Sequence, residues 1–194
     1  MAETSLLSPS LRASMSRASW VGSRLSVRGS PTLVSVRARD AAVTRLARAL
    51  DLHAVPAPNE CHRTALGDCY WLRPDEWLIA AESEDGGALA TAIDAAVGGD
   101  DGAVVDVSGS RVVLELSGPA TRDVLASCCP LDLHVAAFPR GRCAQSLIAK
   151  ASALLELVDD TPTWRLFVSP SYADYVVRWL VDGMEAVRAE RHGL

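Results

Sequence analysis

Arg111-Val112-Val113-Leu114-Glu115-Leu116-Ser117-Gly118-Pro119 opens as a strand and closes as the start of a helix. Its valines and leucines suit a pleated, buried surface, and Ser117-Gly118-Pro119 is a turn followed by a proline that a first helical turn tolerates. The short helix beyond it turns Val124, Leu125 and Cys128 inward. Two strands follow near residues 143–149 and 152–158, then a turn, then a third strand, Trp164-Arg165-Leu166-Phe167-Val168. Ser169-Pro170 opens a last helix, with Ser169 as N-cap and Pro170 at N1. Tyr172, Tyr175, Val176, Trp179 and Leu180 form its apolar stripe, and Asp174, Arg178 and Asp182 lie on its wet side.

The preceding residues show the same plan. Thr32-Leu33-Val34-Ser35-Val36-Arg37 alternates as a strand and leads to Asp40, the expected N-cap of a helix with Val43, Leu46, Ala47 and Leu50 on one face. Residues 64–72 read as a strand, Arg73-Pro74-Asp75-Glu76 as a turn, and Trp77-Leu78-Ile79-Ala80-Ala81 as a second strand. A helix after Gly86-Gly87 turns Leu89, Ile93, Ala96 and Val97 inward, and Ala103-Val104-Val105-Asp106-Val107 closes the set as a strand. The turn from Pro74 to Trp77 answers that from Pro162 to Trp164, as in a duplicated unit. The expected fold is α+β: a domain at 31–194 containing two pseudo-repeated split β-α-β (ferredoxin-like) halves, 31–108 and 109–188, with helices on one face of each sheet.

Composition narrows the function. A chain of 194 residues with 49% hydrophobic content can bury a core, and its longest apolar runs, such as Ala88 to Val97, fall well short of the ~20 residues that span a bilayer. The net charge of −5, with no run of Lys or Arg, gives no reason to expect nucleic acid. Lys150 is the one lysine against eighteen arginines, a bias that fits a GC-rich genome, and no P-loop or Schiff-base motif surrounds it. The five cysteines, an odd number without secretory context, suggest reduced thiols and a cytoplasmic setting.

Sequence motifs for chemistry are sparse. Gly98-Gly99-Asp100-Asp101-Gly102 precedes a strand rather than following one, and Ser108-Gly109-Ser110 does not fit G-x-G-x-x-G, so no dinucleotide site is expected. There is no G-x-S-x-G elbow. Cys61-His62 with Cys69, or Cys128-Cys129 with His134 and Cys143, could be offered as metal ligands, but adjacent strand residues point to opposite faces and no C-x-x-C is present. His53 and His134 read as loop or surface residues, and His192 lies in a polar C-terminal tail. The stretch Pro130-Leu131-Asp132-Leu133-His134-Val135-Ala136-Ala137-Phe138-Pro139-Arg140 is long for a connection, and two readings remain open. It either folds back over its own core or presents apolar anchors framed by arginines to a partner; in the second case Leu131, Phe138, Arg140 and Arg142 are the candidate interface.

Several of these stretches carry a family resemblance. The strand with Ser117-Gly118-Pro119, then Cys129-Pro130-Leu131-Asp132-Leu133, Phe138-Pro139-Arg140-Gly141-Arg142-Cys143-Ala144-Gln145, Asp159-Asp160-Thr161-Pro162-Thr163 and Tyr172-Ala173-Asp174-Tyr175 through Trp179-Leu180 resemble the gamma subunit family of heterotetrameric sarcosine oxidase. The likeness covers roughly residues 31–183. It implies a trimmed version of the folate-binding aminomethyltransferase-type fold. It further implies a non-catalytic, structural subunit that binds no cofactor itself, in a complex with alpha, beta and delta subunits that carry FAD, FMN, NAD, tetrahydrofolate and zinc. Such a complex oxidatively demethylates sarcosine to glycine, makes hydrogen peroxide and passes the one-carbon unit to tetrahydrofolate. The alternative is a free-standing folate-binding protein of the same fold, in which Asp106, a strand-borne acid, and an arginine such as Arg140 or Arg142 would grip the ligand. A strand-end role for Asp106 and a loop-anchor role for the arginines are the competing readings.

Residues 1–30 are rich in Ser, Arg and Ala, with Glu3 as their one acid and no continuous apolar stretch. The expectation is an arm, extended or ordered by a partner, with Leu6, Leu7, Leu11 and Trp20 as its anchors. Leu7-Ser8-Pro9 resembles a short N-terminal motif of the same family.

Overall fold

The computed structural model describes residues 7–20, 22–82, 85–99 and 101–193. In chain order they form α1 (Pro9–Ala18), β1 (Arg24–Gly29), β2 (Thr32–Ala38), α2 (Asp40–Ala49), β3 (Cys61–Thr64), β4 (Gly67–Arg73) and β5 (Glu76–Ala81). Then come α3 (Gly86–Val97), β6 (Gly102–Asp106), β7 (Val112–Ser117), α4 (Thr121–Ala126), β8 (Cys143–Ile148), β9 (Ala151–Asp159), β10 (Thr163–Val168) and α5 (Ala173–His192). The chain divides into two compact units, one of Ser30–Ser110 and one in which the residues up to Gly29 join those from Arg111 onward.

In the unit Ser30–Ser110 the strand order is β3-β4-β5-β2-β6, antiparallel at every pairing. Four of these strands, in the order β4-β5-β2-β6, follow the split β-α-β plan, and β3 is an added hairpin strand at the edge. Alternation on β2 sends Val34, Val36 and Ala38 into one core with Leu46 of α2 and Ile93 and Val97 of α3. Each large side chain among them contributes about 1.5–3 kcal/mol by leaving water. Ile93 and Val97 are one helical turn apart and fully buried, whereas Ala96, expected to face inward, is exposed.

Two further expectations change here. Residues 64–72 are not one strand but the turn and second arm of a hairpin: the Thr64 hydroxyl donates to the Gly67 carbonyl at 2.6 Å and accepts the Leu66 N–H at 3.2 Å, closing a tight turn. Asp40 is not an N-cap but the first residue of α2, with φ of 46°. Arg39 holds the cap position without a side-chain cap bond, and its guanidinium instead grips Asp75 at 2.8 Å. In this unit a side-chain cap forms at α3, where the Asp85 carboxylate accepts the Ala88 N–H at 2.8 Å.

In the other unit the strand order is β1-β7-β10-β9-β8, again antiparallel throughout. The position that β6 holds in the first unit, beside the leading strand, is filled here by β1 from the N-terminal segment. Of the segment expected as an arm, 1–30, the described residues 7–20 and 22–29 belong to this unit, while 1–6 and 21 lie outside the described residues. Leu25 and Val27 pair with Leu116 and Leu114, and α1 buries Leu11, Met15 and Ala18 in a core shared with Val124 and Leu125 of α4 and Val176, Leu180 and Met184 of α5. The physical reason is the period-two alternation of Leu25 and Val27, which lets a Ser- and Arg-rich segment bury one face. Leu7 is buried too, while Leu6 lies outside the described residues.

The last helix also departs from expectation. Pro170–Tyr172 form a short 3-10 turn with Pro170 leading, and the Ser169 side chain caps nothing, pairing with the Ser171 hydroxyl at 3.0 Å. The buried stripe of α5 runs through Ala173, Val176, Val177, Leu180, Val181, Met184 and Val187. Tyr172 and Trp179, expected within that stripe, are exposed. His192 belongs to the last turn of α5 rather than to a tail, and its ring meets Trp20 edge-on at 5.3 Å.

Candidate functional site

The segment from Cys129 to Arg142 leaves α4 and returns as β8, and its geometry is set from both ends. At its start the Cys129 N–H bonds to the Leu125 carbonyl at 2.8 Å; at its end the Gly141 N–H reaches Leu157 of β9, and the Leu157 N–H reaches Arg142, each at 3.2 Å. Between them His134 is fixed by Asp132, whose carboxylate accepts the His134 N–H at 2.9 Å, and a turn bonds the Ala137 and Phe138 N–H groups to the His134 carbonyl.

Arg122 holds the middle of this segment. Its guanidinium donates to the carbonyls of Leu133 and Phe138, the second at 3.5 Å, and lies 5.3 Å from the centre of the buried Trp164 ring. A cation over an aromatic face with two carbonyl acceptors is an arrangement to which the planar guanidinium is suited. Phe138 packs on the same indole, with ring centres 5.2 Å apart. The pattern around Arg122 offered no sign of this, because the carbonyls it binds are backbone groups eleven and sixteen residues away.

The candidate interface residues therefore separate. Phe138 is 4% exposed and belongs to the core of its own unit, so its ring offers no face to a partner. Leu131 is half-buried against that core, Arg140 is exposed and Arg142 is half-buried. Sequence reasoning passed over Val135, which at 60% exposure forms the apolar tip of the segment beside the exposed Ala136 and Ala137. A hydrophobic tip with arginines behind it and its base fastened to a core can dock on another protein.

The other motifs acquire structural roles. Gly118 sits at φ of 120°, and a Cβ there would lie 2.6 Å from the Gly22 carbonyl oxygen, so Ser117-Gly118-Pro119 marks a close crossing of two backbones. The Ala120 N–H bonds to Gly22 at 2.7 Å, and the Gly118 N–H to Pro162 at 3.2 Å. In Asp159-Asp160-Thr161-Pro162-Thr163 one carboxylate oxygen of Asp159 accepts the N–H groups of Thr161 and Thr163 and the Thr161 hydroxyl. Burial pushes the Asp159 carboxyl up, but the hydrogen bonds from Thr161 and Thr163 outweigh it and leave the group below the usual carboxylate range.

Asp106 ends β6. Its carboxylate accepts the Ser108 N–H at 2.8 Å, and hydrogen bonds from the Ser108 hydroxyl and N–H lower its carboxyl from the ordinary value. A Cβ on Gly86, at the start of α3, would come within 2.6 Å of the same carboxylate, so a side chain at that position would displace it. The structure thus places Asp106 at a strand end beside the start of α3. Burial, with the neighbouring Cys129, pushes the Cys128 thiol up to about 11, so it is not a thiolate at neutral pH. All five cysteines are buried, and among the described residues no group of three or more His, Cys, Asp or Glu side chains is placed to hold a metal ion. His53 and His134 are exposed. Among the described residues no helix is long and apolar enough to cross a membrane.

Fold and loop together define an α+β protein of two ferredoxin-like units. The same fold is seen in the glycine cleavage system aminomethyltransferase T from Bartonella henselae, with a TM-score of 0.67 at 15% identity over 88% of this chain and 48% of that one. A chain of the heterotetrameric sarcosine oxidase from Corynebacterium sp. U-96, in complex with pyrrole 2-carboxylate, matches with a TM-score of 0.82 at 32% identity over 92% of this chain and 93% of that one. By sequence the chain is 38% identical over 119 residues to sarcosine oxidase subunit gamma from Corynebacterium sp. (strain U-96), and 40% identical over 114 residues to that from Arthrobacter sp.. Those matches cover 61% and 59% of this chain, and 57% and 55% of the relatives' own length. The model of the sarcosine oxidase, gamma subunit family matches residues 37–186, and the chain belongs to that family.

Proposed function

We propose that this chain is the structural, non-catalytic gamma subunit of a heterotetrameric sarcosine oxidase, binding alpha, beta and delta subunits. The assembled enzyme would demethylate sarcosine to glycine at the expense of O2, release hydrogen peroxide and transfer the one-carbon unit to tetrahydrofolate in the cytoplasm. FAD, FMN, NAD, tetrahydrofolate and zinc would belong to the larger assembly, on the other subunits. The observation that carries this reading is the match over nearly the whole of both chains to a component of a heterotetrameric sarcosine oxidase. The segment from Cys129 to Arg142 supports it, because Leu131, Arg140 and Arg142, with Val135 at the tip, form a preorganised surface for a protein neighbour. Its anchor Arg122 lowers the ordering cost on contact by fixing the backbone beforehand.

The test is expression of the chain alone and with the three other subunits. Co-purification in equal amounts, with flavin absorbance in the complex and none in the isolated chain, is the expected result. A yellow isolated chain, or full assembly and activity without it, would overturn the proposal. Calorimetric binding of a reduced folate to the isolated chain would instead favour a free-standing folate-binding protein.

A further inference from the structure

Helix α5 is apolar on two sides. One stripe is buried in the core of its own unit, and a second, formed by Tyr172 at the N-cap, Tyr175, Trp179, Asp182, Ala186 and Ala189, runs along the other side. Intervals of three and four alternate along it, which is the spacing of the seam by which one helix packs on another. This side is open to water: Tyr172 is 52% and Trp179 43% exposed, Asp182 and Ala186 are exposed, and Tyr175 and Ala189 are half-buried. The three rings meet edge to face in succession, with centres 6.4 Å apart at each step, so they stand as one preformed apolar ridge. The alanines beyond Asp182 leave the other end of the stripe low enough for a close approach of a second helix axis.

Asp182 interrupts the apolar run, and its carboxylate is unpaired: among the described residues it makes no hydrogen bond or ion pair, and neither does the side chain of Arg178 one turn before it. Beside it a cleft of about 400 Å3 opens toward α1, lined by Ser10 and Ser14 on that helix and by Arg178 and Asp182 on α5. A polar residue within a helical seam selects what lies opposite it. A carboxylate beside indole and phenol rings selects a guanidinium, which can pair with the acid and lie against a ring face at once. We propose that this side of α5 receives an amphipathic helix of a partner protein, whose apolar residues pack on the aromatic ridge and the alanines and whose arginine meets Asp182. The stripe spans about 26 Å, matching a partner helix of about 18 residues. A second copy of this chain does not supply the match, because its own stripe would bring rings, alanines or Asp182 itself to the seam, and no cation.

That the partner belongs to the same assembly rests on the reading of the chain as an assembling subunit, but the helix face is tested with the full chain alone. The chain is titrated, by fluorescence anisotropy, against a labelled helical peptide kept too dilute to self-associate. The peptide carries Leu at the seam positions, Lys and Glu outside them and Arg at the central seam position; a second peptide differs only by Glu in place of that Arg. Binding of the Arg peptide about tenfold tighter than the Glu peptide is expected, since like charges set opposite one another are costly. Asp182→Arg should invert the preference, Asp182→Asn should erase it, and Trp179→Ser should weaken both peptides severalfold. Asp94→Arg, the same change of charge on α3 of the other unit, should leave both affinities unaltered. Circular dichroism melting of each variant separates lost binding from lost folding, and Asp182→Asn keeps the test valid if Asp182→Arg does not fold. Absence of binding, equal affinities for the two peptides, a preference that survives Asp182→Asn, or a dimer of the chain that Trp179→Ser dissociates would overturn the proposal. A chain that binds the Arg peptide yet does not assemble with other subunits would defeat the subunit reading and leave the helix face standing.

Discussion

Arg122 shows how one side chain can decide the shape of fourteen residues of loop. Its two carbonyl acceptors and the Trp164 face are interactions of a charged group, so Arg122→Ala should lower stability by about 1–3 kcal/mol, read as a fall in the urea midpoint, with Arg122→Lys recovering only part of it. Proteolysis should cut between Leu131 and Arg142 sooner in the alanine variant, because the backbone there would lose its central tether. Asp159 gives a prediction in pH. Its carboxyl is held below the ordinary range in the folded chain, so the stability it contributes is fully present above the unfolded value of about 3.9 and is lost as pH falls through the folded value. Asp159→Asn should be less stable than the parent at neutral pH, and the gap should close on acidification; a gap that stays constant in denaturant melts down to about pH 3 would show that the carboxylate contributes nothing through its charge.

At the level of elements, removal of residues 1–29 is the sharpest prediction. Leu7, Leu11, Met15 and Leu25 are each at most 6% exposed, and losing four such side chains forfeits about 6–12 kcal/mol of burial. That is comparable with the whole net stability of a typical domain, about 5–15 kcal/mol, so the truncated chain should be insoluble or show no cooperative melt by circular dichroism. A soluble, cooperatively melting truncation would mean that β7 tolerates an open edge. The duplicated plan of strands and helices was legible in the sequence because β2, β5, β7 and β10 alternate or run apolar between clear turns. β1 was passed over since Leu25 and Val27 are two apolar residues in a stretch dominated by serine and arginine, and what makes them a strand is the distant pairing with Leu116 and Leu114. The partner segment was legible as a long connection, but Phe138 and Val135 could not be sorted into buried and exposed, because that depends on Trp164 and Arg122, which lie outside the segment. The stripe of α5 was displaced for a related reason: Tyr172, Tyr175 and Trp179 are spaced like a core face, yet their rings contact one another in sequence at 6.4 Å along a largely exposed edge.

Across the whole molecule, the proposed role as an assembling subunit puts the weight of a test on the exposed loop tip. Replacing Val135 by Asp should leave the melting temperature of the isolated chain within about 1–3 °C, since a surface change costs at most about 0.5 kcal/mol, while reducing co-purification with the other subunits. Unchanged recovery of the complex would remove the loop tip from the interface. The interrupted unit has a consequence for biosynthesis. Val27 of β1 pairs with Leu114 of β7, and every residue of Ser30–Ser110 is made between them. At ribosomal speeds of about 5–20 residues per second, the newborn N-terminal helix and strand wait about 4–17 s for their neighbours, with Leu11, Met15 and Leu25 uncovered meanwhile. The inserted unit can fold while they wait, so a nascent-chain trap for exposed apolar side chains, such as a chaperone, should engage this protein early and release it only after β7 has left the exit tunnel.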